Sequence, residues 1–254
     1  MTRSEQPAAT LWTGVVLYST QDPEASALVV EDGVVAWIGP EDSARTLFSD
    51  LTEERWEGSL LTPTFVDVLP TADGTEPSEA WHTDALTRGV TAAYAGTVGD
   101  RGGVRALAPG AEAAPYLDLT SAGTALAFGS LGDRDWCDPW SWVRAAAHEG
   151  DPAQRISDRA AFLAATRGGR RLGGEAHPGS IVPGVPATFA VWEPWDLTVR
   201  GQDERIQTWS TDPRSRTPML PDLGSGSPRA LHVVVDGQTV YDAGRHADGA
   251  DTDA

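Results

Sequence analysis

Two of the chain's Asp-Gly pairs, each set between β-branched runs and one towards each end of the chain, constrain its fold more than any other feature. Asp32-Gly33 stands between Val29-Val30 and Val34-Val35, and Asp236-Gly237 stands between LHVVV and QTVYDA. An Asp-Gly step between β-branched runs predicts a two-residue hairpin, because both turn positions take positive φ and these residues tolerate it. Further β-rich runs accompany the hairpins: TLWTGVVLYS and ERWEGSLLTPTFVDV early in the chain, ATFAVWE late. Strands from both chain ends can therefore join into one sheet domain, residues 10–62 with residues 170–243.

Between them, residues 63–169 change character. Residues 64–69, 90–95 and 124–128 are mostly apolar, as in strands buried on both faces. Ser78 can cap a helix that runs to Arg88 and stops at Gly89. Asp138-Pro139 opens a second helix, closed by Gly150, and Ser157 opens a third that ends at Gly168-Gly169. Strand and helix in alternation predict a parallel βα layer inserted into the sheet domain. Residues 99–113, rich in Gly and Ala, carry no assignable pattern. Residues 208–228 read as a long irregular loop, and residues 1–9 and 244–254 as disordered tails.

The balance of 37 acidic against 19 basic residues gives a formal charge of −18, and every basic residue is Arg. Such a surface repels phosphate backbones and anionic lipid, which argues against nucleic acid or a membrane as partner. No apolar run is long enough to span a bilayer. Cys137 is the only cysteine, so neither an intrachain disulfide nor a cysteine-based zinc cluster can form. With no apolar leader at the N-terminus, a cytoplasmic protein is expected.

Three stretches, residues 28–39 (LVVEDGVVAWIG), 59–67 (SLLTPTFVD) and 157–191 (closing on GSIVPGVPATFAV), together resemble the amidohydrolase superfamily. The likeness is closest to the large amidohydrolases that include imidazolonepropionase-like proteins. There the first stretch is the opening sandwich hairpin. The second is the strand leading into the barrel, usually PGFVD followed by His-x-His. The third is the closing segment. The resemblance implies a composite β-sandwich plus a (β/α)8 barrel, and hydrolysis of C–N or ester bonds through metal ions that acidify a water. A complete barrel takes ~250 residues, whereas only residues 68–130 lie here between Asp67 and Leu131, the positions matched to its first and last strands. The expected fold class is thus α/β with a β-sandwich: a composite sandwich from both chain ends and an incomplete (β/α) barrel remnant.

The resemblance also implies where the metal ligands stand. Alternate residues on a strand share a face, so a His-x-His pair can reach one ion. The matching strand reads Phe65-Val66-Asp67-Val68-Leu69-Pro70-Thr71. Asp67 matches the family's Asp, but Leu69 and Thr71, or Val68 and Pro70, replace the histidines. The last family ligand, the Asp of GSD, is met by Gly129-Ser130-Leu131, with Asp133 two residues on. A chain without a cofactor is the expectation, with zinc as the alternative. Asp133 and Asp67 are the catalytic candidates, and His82 and Asp133 the candidates for a metal.

Other features have plain structural readings. His82 and Asp84 lie two apart on a helix and do not face the same way. His148, in the last turn of its helix, complements the dipole. Asp133, Asp135 and Asp138 read as a solvated loop ending in a cap. Arg170-Arg171 between glycine pairs suits an anion or a helix-to-sandwich turn. Of ten tryptophans, Trp136, Trp140 and Trp142 cluster near the site; they read first as core and second as a docking interface. Open sheet edges call for a protein partner or a second copy to cover them. Two functions stand. One is an amidohydrolase-like pseudoenzyme, a non-catalytic binding or structural partner in a protein complex. The other is a metal-dependent hydrolase of amide or cyclic-amide C–N bonds with a rearranged or partner-completed site.

Overall fold

The structure is a computed structural model and describes residues 9–69, 77–95, 99–101, 103–111, 113–132, 137–198 and 218–244. The chain forms strands β1 Ala9–Leu17, β2 Ala27–Glu31 and β3 Val34–Gly39, helix α1 Glu41–Leu47, and β4 Thr52–Pro63. It continues through β5 Phe65–Leu69, α2 Glu79–Leu86, β6 Val90–Ala95, β7 Gly99–Arg101, β8 Val104–Leu107, α3 Tyr116–Ser121 and β9 Ala125–Phe128. Helices α4 Pro139–His148, α5 Asp158–Leu163 and α6 Gly169–Gly173 follow, then β10 Phe189–Trp192, β11 Leu197–Thr198, β12 Leu220–Pro221, β13 Ala230–Val235 and β14 Gln238–Asp242. Two compact units result: Met1–Pro63 with Ser180–Trp195 and Arg229–Ala254, and Thr64–Gly179 with Asp196–Pro228. Residues 170–179, 196–198 and 218–228 group with the βα unit.

The first unit is built on one seven-stranded sheet in the order β14-β13-β10-β4-β1-β2-β3, antiparallel except where β1 runs parallel to β4. Asp32-Gly33 and Asp236-Gly237 make the hairpins expected of them. Asp32 and Gly33 have φ of 50° and 80°, and Asp236 and Gly237 have 49° and 76°. These hairpins form opposite edges of the sheet, yet their tips meet. Ala187 N donates to Gly33 O at 2.8 Å, and Gly237 N donates to Ala187 O at 2.9 Å. The sheet therefore curls on itself, where a two-sheet sandwich was expected. Alternation along the strands fills both faces. Trp12, Leu28, Phe189 and Val191 point to one core, while Leu11, Ala27 and Val29 meet Ala44 of α1 on the other. Each large apolar side chain so buried contributes roughly 1.5–3 kcal/mol.

In the second unit β5 pairs parallel with β6 across α2, and β8 pairs parallel with β9 across α3. β7 adds antiparallel to β8, a pairing that the Gly- and Ala-rich sequence there did not reveal. Among the described residues no closed barrel forms. The expected caps are in place: Ser78 accepts from Trp81 N, Asp138 from Trp140 N and Ser157 from Ala160 N. Phe65 packs edge-on against both Trp140 and Phe162, which stack on each other 5.6 Å apart. No helix among the described residues is long and apolar enough to cross a membrane.

Candidate functional site

The site grows from the middle of β5. Asp67 is 3% exposed, and the chain leaving β9 closes over it. Ser130 N donates to Asp67 Oδ1 at 2.6 Å and Ser130 Oγ to Oδ2 at 2.8 Å. Leu131 N then donates to Val68 O at 2.9 Å. Gly129 permits this approach, because a Cβ there would run into the Val68 backbone and Asp67 Oδ1. The turn leaves Leu131 at φ 48°, a left-handed conformation that costs a branched residue about 1 kcal/mol. Burial pushes the Asp67 carboxyl up to about 6, even though the Ser130 amide and hydroxyl, the Val68 amide and the Arg88 charge all oppose it. At neutral pH Asp67 is an ionised group with both oxygens engaged. It suits holding the turn better than taking a proton from a substrate.

A cavity of about 560 Å³ lies at the end of β5, lined among others by Leu69, Trp81, Asp84, Arg88, Ser130 and Cys137. Its volume is in the range of small-molecule sites. Arg88, just beyond α2, donates through Nη1 to Asp84 Oδ2 at 2.6 Å. Sequence reasoning missed Arg88, although its spacing from Asp84, i and i+4 on one helix face, was a usable signal.

The sequence candidates divide. Asp67 is at the site, whereas His82 is exposed on α2 with its ring against Trp81 and does not line the cavity. Asp133, Asp135 and Trp136 lie outside the described residues. Trp140 and Trp142 are 1% and 0% exposed, so both are core; a docking interface through them is corrected, because neither ring reaches the surface. Asp138 caps α4 and also accepts from Ser227 Oγ at 2.9 Å. His148 Nε2 sits 2.5 Å from Asp158 Oδ1, a partner that the helix-dipole reading did not include. His177 Nδ1 accepts from Gly179 N, and His232, in the other unit, packs against Trp12 and Trp56. Arg170 is buried against Glu175 Oε2 and Thr64 Oγ1, so in the Gly168–Gly174 run, which forms α6, this arginine is engaged by the protein rather than offered to an anion.

No family model matches the chain, and no curated relative does. Solved structures do. An enamidase of the amidohydrolase superfamily aligns with TM-score 0.58 at 14% identity, over 91% of this chain and 95% of its own. An adenosine deaminase from Xanthomonas campestris with bound zinc aligns with TM-score 0.55 at 11% identity, over 95% and 97%. A metal-dependent hydrolase from Pyrococcus furiosus aligns with TM-score 0.57 at 10% identity, over 72% and 98%. At these identities the likeness establishes the fold: the chain has the fold of the amidohydrolase superfamily, as its motifs implied.

These neighbours correct the expectation of a chain without a cofactor. One holds zinc and another is metal-dependent, so the fold points to a metal. The described side chains at the ends of β5 and β9 do not by themselves fit one. Leu69 and Leu131 have no donor atom, and both Asp67 oxygens are engaged by Ser130. Among the described residues no three His, Cys, Asp or Glu side chains come together as a ligand set.

Proposed function

On the amidohydrolase fold that this chain carries, we propose a binding protein that takes a small ligand in the cavity beside Asp67 and does not hydrolyse it. The observation that carries this reading is the turn after β9. Leu131, where the resemblance places the last metal ligand, keeps its backbone docked on Val68 while its side chain packs against the Val68 and Leu172 cluster. The scaffold of the site persists with an apolar side chain in place of the donor. Beside it the cavity keeps the mix of apolar walls and a few polar groups that small-molecule sites have. In the same reading β6, which pairs only with β5 among the described residues, is an edge for a partner chain or a second copy to cover. A thermal-shift screen with amides, cyclic ureas and their parent acids tests the reading; no stabilisation by any compound would count against it.

The metal-bearing neighbours favour a second reading, a hydrolase of C–N bonds whose ligand set is completed by residues such as Asp133 or by another chain. Chelator-sensitive hydrolysis that disappears in Asp133→Ala would support it over the first.

A further inference from the structure

We propose that the ligand of this cavity is a monocarboxylate with a small apolar or planar body, held by Arg88; the inference rests on the binding reading above. Arg88 lines the cavity with a side chain 22% exposed, and among the described residues it spends only Nη1 on the protein, on Asp84 Oδ2. Its Nε is buried and meets no acceptor among the described residues. Among the described residues Nη2 meets none either. Nε is thus unpartnered but shut in, and Nη2 is the guanidinium group left to meet a ligand carboxylate oxygen in a charge-assisted hydrogen bond. A cationic donor without an acceptor is costly to cover, so an arriving carboxylate oxygen is favoured over an apolar group.

The remaining groups narrow the class. Leu69, Ala80 and Trp81 give the cavity an apolar wall for the ligand body. Asp84 is 63% exposed, so its pair with Arg88 is a solvent-facing one, weak and readily exchanged. Asp67 lies behind Ser130, and with Asp84 it makes the surroundings acidic, which opposes a dianion such as phosphate. Ser130 Oγ already donates its hydrogen bond to Asp67, and Arg88 is the cation among the described lining residues that reads the ligand's charge.

The test uses the full chain with benzoate and indole-3-acetate as probes and their amides as neutral counterparts, followed by calorimetry and tryptophan fluorescence. Both acids are expected to bind at least about tenfold more tightly than the amides, about 1.4 kcal/mol. Arg88→Gln loses this preference. Asp84→Asn, an exposed substitution that leaves the fold intact, tightens acid binding by removing the competing carboxylate, whereas a purely structural ion pair would give no gain. Equal binding of acids and amides, no saturable binding of either acid, or unchanged acid binding in both variants overturns the inference. Chelator-sensitive turnover of the amides would instead overturn the binding reading, and leave a carboxylate preference standing as a product preference.

Discussion

Ser130 and Asp67, 63 residues apart in the chain, are joined twice, amide to Oδ1 and hydroxyl to Oδ2. The double bond of donors ties the turn after β9 to the middle of β5 and seals a carboxylate inside. The cost of that burial outweighs the hydrogen bonds, which is why the Asp67 carboxyl moves up to about 6 rather than down.

Stability should therefore depend on pH in a defined window. The folded carboxyl lies above its ordinary 3.8, so the folded chain holds the proton more tightly than the unfolded chain between pH 4 and 6. Stability falls as pH rises through that window and levels off above about 6. Each pKa unit is about 1.4 kcal/mol, so the penalty above the window is of order 3 kcal/mol. Asp67→Asn removes it. In urea unfolding the variant should equal or exceed the parent at pH 8 and lose that advantage near pH 4. Parallel pH profiles for the two proteins would refute this electrostatic picture.

Gly129→Ala places a methyl against the Val68 backbone and Asp67 Oδ1. Neither neighbour is the free end of a flexible side chain, so the turn must lift. A loss of about 1–3 kcal/mol or more is expected, as for overpacked cores. It should be measurable as a lower urea midpoint, and ligand binding in the cavity should weaken with it. A variant as stable as the parent would mean that the turn is not clamped on β5.

Trp142→Ala empties a fully buried site. The cost should be about 3–5 kcal/mol, typical of a large aromatic removed from a core. A docking role predicts the opposite pattern, an unchanged melting temperature with loss of self-association or of a partner. Differential scanning calorimetry with light scattering separates the two.

Gly237→Ala tests the curl of the first sheet. At φ 76° a Cβ is strained, and here it would also collide with Gly33 of the other hairpin. Asp236 is further held by Thr188, whose Oγ1 accepts from Asp236 N at 3.1 Å. The variant should melt several degrees lower, since about 1 kcal/mol moves the midpoint of a domain of this size by roughly 2–4 °C. An unchanged melting temperature would show that the tips do not support each other.

What was legible in the sequence was local. Asp32-Gly33 and Asp236-Gly237 announced their hairpins because turn geometry depends on two adjacent residues, and Ser78, Asp138 and Ser157 announced their helices because a cap reaches only two or three residues along. The meeting of Gly33 with Gly237 was not legible, since it depends on how far the whole sheet coils. Nor was the cavity, which brings Leu69, Arg88 and Ser130 together from three separate segments. β7 and β8 passed unseen because Gly and Ala carry little periodic pattern. Trp140 and Trp142 supported both core and interface until their burial decided for core. The family motifs pointed to Asp67 and Ser130 separately, and only the fold makes them partners.

The most direct measurement is turnover. The full chain, produced in zinc-supplemented medium, is offered a panel of linear and cyclic amides, and carboxylate release is followed before and after chelation. Binding without metal-dependent hydrolysis predicts no release above the protein-free rate in either condition, alongside saturable binding of the panel's parent acids. Release that stops on chelation and returns with added zinc would contradict it.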